Sequence, residues 1–342
     1  MGSHKETDLH FTDKANEMLK SMPRYVQIYI RAIHNRTAPR TRYEYLKDIE
    51  NFLSYLSDSP FAVSLDDLSK LDKVKFEEYI EYLEHYEKNG IERTNGRTSI
   101  KRKLSSLRKF FGYLFENGMI PSDEIRKVEM PKLHSKEIIR LDDTEATDFL
   151  DAVENGNKLT KKENDYFKIQ SIRDSAIAYL LLSSGLRVSE CAELDVSDID
   201  MKNSCVHVTR KGGNEATVYF SDEASQYLQR YLETRAVAKC SEDEKALFLS
   251  SRIKRLSVRA IEVLIKKYAQ RSVPAKHITP HKLRATYATN LYNETGDIYL
   301  VAETLGHKDI TTTKEHYANL SDKRKADNRN KVVFKKENNS ES

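Results

Sequence analysis

The stretch Thr279-Pro280-His281-Lys282-Leu283-Arg284-Ala285-Thr286-Tyr287-Ala288-Thr289 reads as the start of an amphipathic helix. Thr279 stands at the N-cap and Pro280 at the first helical position, where a missing N–H costs nothing because that donor has no partner inside the helix. Leu283, Tyr287 and Leu291 recur at helical spacing and are expected to face a core. His281 and Arg284, three residues apart, share a face near the positive end of the helix dipole, an arrangement suited to gripping an anion.

Four further patterns flank this one in a set order. Upstream, Ser184-Gly185-Leu186-Arg187-Val188-Ser189-Glu190 places an arginine just after a glycine turn at a helix start, with Glu190 one turn on to orient it. Arg210-Lys211-Gly212-Gly213 forms the tip of a hairpin between the expected strands Cys205–Thr209 and Ala216–Phe220. Downstream, Leu305-Gly306-His307 closes a helix with a glycine cap and leaves a histidine immediately after it. Thr311-Thr312-Thr313 then leads to Tyr317, ten residues beyond His307. Each has an ordinary explanation when taken singly: a surface ion pair, a solvated lysine, a capping histidine, one tyrosine among 19.

Together these residues are what metal-free phosphodiester exchange needs. Two arginines clamp the non-bridging oxygens and stabilise the charge of a pentavalent transition state. Tyrosine, with a free pKa near 10, is a poor nucleophile until a base and nearby positive charge help remove its proton. A histidine serves as that base, and a lysine protonates the departing 5′-oxygen. A covalent phosphotyrosine conserves the energy of the bond, so neither ATP nor water is required. In keeping with this, the chain carries no GxxxxGK[ST] loop, no H-E-x-x-H and no paired-cysteine pattern, and no cofactor or metal is expected.

With 342 residues, the chain has room for two ordinary domains. Charged residues make up 32%, against about a quarter in an average soluble protein, which points to a surface-rich, mainly helical molecule. No apolar run approaches the roughly 18 residues that span a bilayer, and Met1 to Phe11 lack the apolar core of a secretion signal. Cys191, Cys205 and Cys240 are odd in number and far apart, which fits a reducing cytoplasm rather than a disulfide or zinc framework.

A net charge of +4 says little about partners, but its distribution says more. Arg24 to Arg42 holds five arginines and no acid, Arg97 to Lys109 holds six basic residues and no acid, and Asp66 to Glu87 between them is acid-rich. Apolar stripes at Leu46, Ile49, Leu53, Leu56, at Phe76, Ile80, Leu83, and at Ile100, Leu104, Leu107, Phe111, Leu114 predict helices. Another, near residues 13 to 34 and interrupted early by Pro23, completes a bundle of about four. Opposite the third stripe stand Arg97, Lys101, Ser105 and Arg108, a basic face for a nucleic-acid backbone; Arg40 and Arg42 join them as candidate DNA contacts. The expected division is a helical DNA-binding domain at 1–130, an extended linker at 131–138 around Pro131, a second domain at 139–320 and a charged tail at 321–342. In the second domain helices are expected at Asp143–Val153, Ile172–Ser183, Ser189–Leu194, Glu223–Thr234, Ser257–Gln270, His281–Asn293 and Ile298–Leu305.

This pattern resembles the tyrosine recombinase family, specifically its Xer-like members, over nearly the whole chain. TRYEYLKDIENFLSYL (41–56) and SIKRKLSSLRKFFGYL (99–114) are similar to core-binding helices of that family, and SSGLRVSE, VTRKGG, TPHKLRATYAT and LGHKDITTTKEHY follow its catalytic motifs in order. The resemblance implies a mainly α protein: a SAM-like core-binding domain, then a mixed α/β, mostly helical catalytic domain with a small sheet. It implies Arg187, Lys211, His281, Arg284 and His307 as site residues, Tyr317 as nucleophile and Glu190 in support. It further implies a 3′-phosphotyrosyl intermediate, a C-shaped clamp on duplex DNA at a short specific site, four protomers on two sites exchanging strands in pairs through a Holliday junction, and docking of the segment after Tyr317 on a neighbouring protomer. The chain departs from the family in having Ala285 where a histidine often follows the second arginine, and KGG at the hairpin tip. The expected role is chromosome-dimer resolution or integration and excision of a mobile element. Two alternatives share the fold: a DNA-binding regulator without catalysis, which would form no covalent adduct, and a type IB topoisomerase-like enzyme, which would relax plasmids without a specific site.

Overall fold

The computed structural model describes residues 2–88, 90–132, 138–156, 160–210, 213–236 and 244–306. The chain divides into two compact units, residues 1–135 and 136–342.

The first unit is helical because its apolar residues recur at helical spacing and its prolines fall where helices begin. Pro23 precedes α2 (Arg24–Ala32) and Pro39 opens α3 (Pro39–Leu56). The expected interrupted helix is therefore two helices, since α1 (Gly2–Leu19) ends before Pro23. The short α4 (Leu65–Ser69) starts at a reciprocal cap in which Ser64 and Asp67 satisfy each other's backbone N–H. In α5 (Lys73–Glu84), Asp72 accepts from the Lys75 N–H. The stripe on α6 (Arg97–Glu116) buries Ile100, Leu104, Leu107, Phe110, Phe111 and Leu114. Phe52 of α3 sits at the centre, stacked on Phe76 at 5.4 Å between ring centroids and edge-on to Tyr79 at 4.9 Å. Neither α4 nor the hairpin that follows α5 was foreseen. Strands β1 (His85–Lys88) and β2 (Ile91–Thr94) pair antiparallel between α5 and α6. All four β2 residues are exposed, so the alternation that marks a half-buried strand is missing from the sequence.

The second unit opens with α7 (Asp143–Asn155), capped reciprocally by Asp142 and Glu145 and closed by left-handed Gly156. Next come α8 (Lys161–Ser184) and α9 (Val188–Glu193). α8 begins well before the expected Ile172, because its first turns carry too few apolar residues to show a period. An antiparallel sheet in the order β3-β4-β5 follows, formed by β3 (Ile199–Asp200), β4 (Cys205–Arg210) and β5 (Asn214–Tyr219). Its hairpin register runs from Cys205 opposite Tyr219 to Arg210 opposite Asn214. The remaining helices are α10 (Asp222–Ala236), α11 (Val258–Ser272), α12 (Pro280–Thr295) and α13 (Ile298–Leu305). The main core gathers Phe149, Ile177, Leu180, Leu181, Val206, Phe248, Ile265, Tyr268 and Leu283. Ala288, Tyr292, Val301 and Leu305 form a smaller cluster that locks α12 to α13, with Tyr287 and Leu291 packed on it. Thr279 stands at the N-cap of α12 and Pro280 opens the helix, as expected; the cap is made by extended backbone without a side-chain bond. No described helix is long and apolar enough to cross a membrane. The expected linker falls partly, and the tail wholly, outside the described residues.

Candidate active site

Helix α13 is eight residues long, and it ends where the site begins. The last carbonyls of any helix lack intrahelical partners and carry the negative end of its dipole. Here four consecutive ones accept from arginines. Arg210 donates from Nη1 to the Glu303 carbonyl at 3.2 Å and from Nη2 to that of Thr304 at 2.7 Å. Arg284 donates from Nη2 to Leu305, and Arg187 from Nη2 to Gly306 at 3.4 Å. Three guanidinium groups from three separate elements therefore meet at one helix end, whose carbonyls offset their mutual repulsion.

Each arginine is fixed by its own element. Arg187 is the N-cap residue of α9, so Glu190 lies one turn on. The Glu190 carboxylate accepts the Arg187 backbone N–H at 2.8 Å and its Nη1 at 2.7 Å. That carboxylate is buried, while the Arg187 side chain stays 36% exposed and open to a ligand. Arg284 projects from the first turns of α12 and is only 5% exposed. Its Nη1 donates to the Gly185 carbonyl, so it bridges the turn before Arg187 to the end of α13. Gly185 has φ +63°, and a Cβ there would meet the Tyr287 ring, so the turn requires glycine twice over. At Gly306, with φ +62°, a Cβ would fall on the Arg210 guanidinium. Burial pulls Arg210 below its ordinary pKa, Glu190 raises it and Arg187 lowers it further, which places Arg210 in the field of both.

Of the residues expected in the site, Arg187, Glu190 and Arg284 come together here. His281 lies exposed at the start of α12. Lys211, His307 and Tyr317 lie outside the described residues; in sequence Lys211 follows Arg210, and His307 follows Gly306. Arg210 was missed. Its position beside the hairpin lysine in VTRKGG was the available signal, but the i and i+3 spacing that paired Arg187 with Glu190 has no counterpart for a contact 93 residues away. Among the described residues no group of three or more His, Cys, Asp or Glu could hold a metal ion.

In the first unit the expected basic face is divided. Arg40 and Arg97 are exposed and Lys101 is half-buried. Arg42 is a correction to the expectation of a DNA contact: it is 6% exposed, and its Nη1 donates to the carbonyls of His34, at 2.8 Å, and Thr37. Its work is to close the turn before α3. Arg108 is half-buried and donates to the Val128 carbonyl, so its guanidinium also serves the fold.

Comparison with known proteins agrees with this geometry. Residues 140–324 match the phage integrase family, and residues 26–118 match the phage integrase N-terminal SAM-like domain. The chain belongs to the phage integrase family. It is a tyrosine-type site-specific recombinase. The tyrosine recombinase XerS of Streptococcus agalactiae serotype III (strain NEM316) is 34% identical, over 92% of this recombinase and 96% of the relative. XerS of Lactococcus lactis subsp. lactis (strain IL1403) is 33% identical over 90% and 95%. Among solved structures, the Tn1549 transposon integrase in complex with transposon right end DNA superposes with a TM-score of 0.65 at 19% identity, covering 90% of this recombinase and 99% of that chain. The XerH recombinase bound to palindromic difH substrate gives 0.63 at 17% identity, covering 83% and 76%. The mainly helical fold, with a SAM-like domain before the catalytic one, is thus that of the tyrosine recombinases.

Proposed function

We propose that this recombinase cleaves and rejoins duplex DNA at a short specific site through a 3′-phosphotyrosyl bond to Tyr317. The observation that carries the reading is the convergence of Arg187 and Arg284 on the end of α13, one residue before His307. A scissile phosphate beside that cluster would receive both guanidiniums on its non-bridging oxygens, where they are worth most as charge develops. The Tyr317 oxygen bonds to phosphorus as its proton passes to a histidine, His281 or His307. The P–O5′ bond breaks, and Lys211 gives its proton to the leaving 5′-oxygen. Attack by a 5′-hydroxyl of a second strand reverses these steps and frees the tyrosine, so no external energy source enters. Glu190 keeps the Arg187 fork in place throughout.

The same reading has it act as a homotetramer on two sites in the cytoplasm, with strands exchanged in pairs through a Holliday junction. Its service is chromosome-dimer resolution or the integration and excision of a mobile element. Arg40, Arg97 and Lys101 supply backbone contacts from the first unit. The test is a nicked suicide duplex bearing a chromosomal resolution or element-end site, incubated without metal and resolved on a denaturing gel. A slow-migrating protein–DNA adduct is expected with the wild type, and Tyr317→Phe should bind the duplex as well yet form none. An adduct that survives in Tyr317→Phe overturns the nucleophile assignment.

A further inference from the structure

Arg210 has no part in the steps just described, yet the fold invests in it. It is the last residue of β4 paired across the hairpin, opposite Asn214, and the Gly213 N–H closes the turn onto its carbonyl at 3.0 Å. In sequence Lys211 and Gly212 stand between Arg210 and Gly213. The Arg210 side chain reaches 93 and 94 residues along the chain to the Glu303 and Thr304 carbonyls.

An ordinary cap on α13 does not account for this contact. The Gly306 N–H already closes the helix onto the Ala302 and Glu303 carbonyls, and Arg284 and Arg187 take those of Leu305 and Gly306. Bringing a third guanidinium into the group costs desolvation and repulsion from Arg187, and Nε of Arg210 is buried without a hydrogen-bond partner. Gly306 leaves open the space through which this side chain passes.

We propose that Arg210 is a positioning residue for DNA cleavage, stapling the end of β4 to the last turn of α13 so that the next residue, Lys211, is delivered to the leaving 5′-oxygen. This rests on the reading of Lys211 as proton donor. With an oxygen leaving group, the P–O5′ bond breaks as the Lys211 ammonium passes its proton to O5′ and becomes a neutral amine. With sulfur in the bridging position the thiolate departs without that proton, because a thiol, with a pKa of about 8.5, is a far stronger acid than an alcohol.

The experiment compares adduct formation by the full chain on two suicide duplexes, one with oxygen and one with sulfur at the scissile 5′-bridge. On oxygen, Arg210→Ala should slow cleavage on the order of 10- to 100-fold with unchanged DNA binding, less than the roughly 10²- to 10⁴-fold that general acid–base catalysis contributes, because Lys211 itself remains. On sulfur it should return close to the wild-type rate. Arg210→Lys, which keeps the charge and can reach one carbonyl, should fall between, and it carries the same comparison if the alanine variant does not fold. Lys211→Ala is the reference and should show the same rescue. Wild-type cleavage by Arg210→Ala on oxygen, or an equal deficit on both duplexes while Lys211→Ala is rescued, overturns the positioning role and leaves the Lys211 reading intact. Failure of sulfur to rescue Lys211→Ala overturns the proton-donor reading, and the assignment of Arg210 goes with it.

Discussion

Gly185 shows how narrowly single residues constrain the site. Its φ of +63° lies where a side chain is strained, and the Tyr287 ring fills the space that a Cβ would need. Alanine there costs about 1–2 kcal/mol from the backbone before the ring has moved. Because the Gly185 carbonyl accepts from Arg284, the displacement reaches the arginine cluster directly. Gly185→Ala should therefore lower the melting temperature by several degrees and also slow adduct formation at temperatures where the protein is fully folded. Thermal unfolding alongside the suicide-duplex assay separates the two effects, and an unchanged rate would show that the turn does not transmit strain to Arg284. The Arg187–Glu190 pair was legible in the sequence because both partners lie on one turn. The partners of Arg284, 99 and 21 residues away, were not, since no local spacing encodes them.

Helix α6 was read as apolar on one side and basic on the other. The apolar side packs as expected, but the basic side does not act as one surface. Asp48, 1% exposed on α3, accepts from Arg102 at 2.6 and 2.9 Å and from the Ser106 hydroxyl at 2.7 Å. Lys103 lies 3.6 Å away. A buried carboxylate thus joins α3 to α6 and withdraws two cations from any phosphate-facing surface. Asp48→Ala should cost about 2–3 kcal/mol, the worth of hydrogen bonds to a charged group whose partners are left wanting. Arg102→Ala should cost less, because that side chain is 47% exposed and already shares its charge with water. Urea unfolding of the full chain checks the order, and equal midpoints for Asp48→Ala and wild type would remove the anchor from the account. The hairpin of β1 and β2 escaped the sequence reading for a different reason: β2 is wholly exposed and leaves no period to detect.

Across the whole molecule, a net charge of +4 hides an uneven distribution, and binding to DNA will follow the exposed cations rather than the total. Neutralising Arg97 and Lys101 to Gln should weaken binding to every duplex, specific or not. If each meets one phosphate, the slope of log affinity against log salt should fall by about 0.9 per residue. Arg42→Gln should leave that slope alone and reduce stability instead, since its Nη1 is bound to the carbonyls of His34 and Thr37. Filter binding over a salt series distinguishes these outcomes, and an unchanged slope in the Arg97 and Lys101 variant would show that this end of α6 does not face DNA.

The family and the helices of the catalytic unit were legible in the sequence, because helix periods, glycine turns and ordered motifs are all written within a few residues of each other. Only the tertiary structure decided which cations meet. Arg187, Arg210 and Arg284 are carried by the N-cap of α9, by β4 and by α12, and they converge because one helix end, that of α13, presents four consecutive carbonyls to which guanidinium groups donate. The structure likewise turned Arg42 and Arg108 inward, because backbone carbonyls left over at turns must find donors, and a long guanidinium side chain reaches them from across the fold.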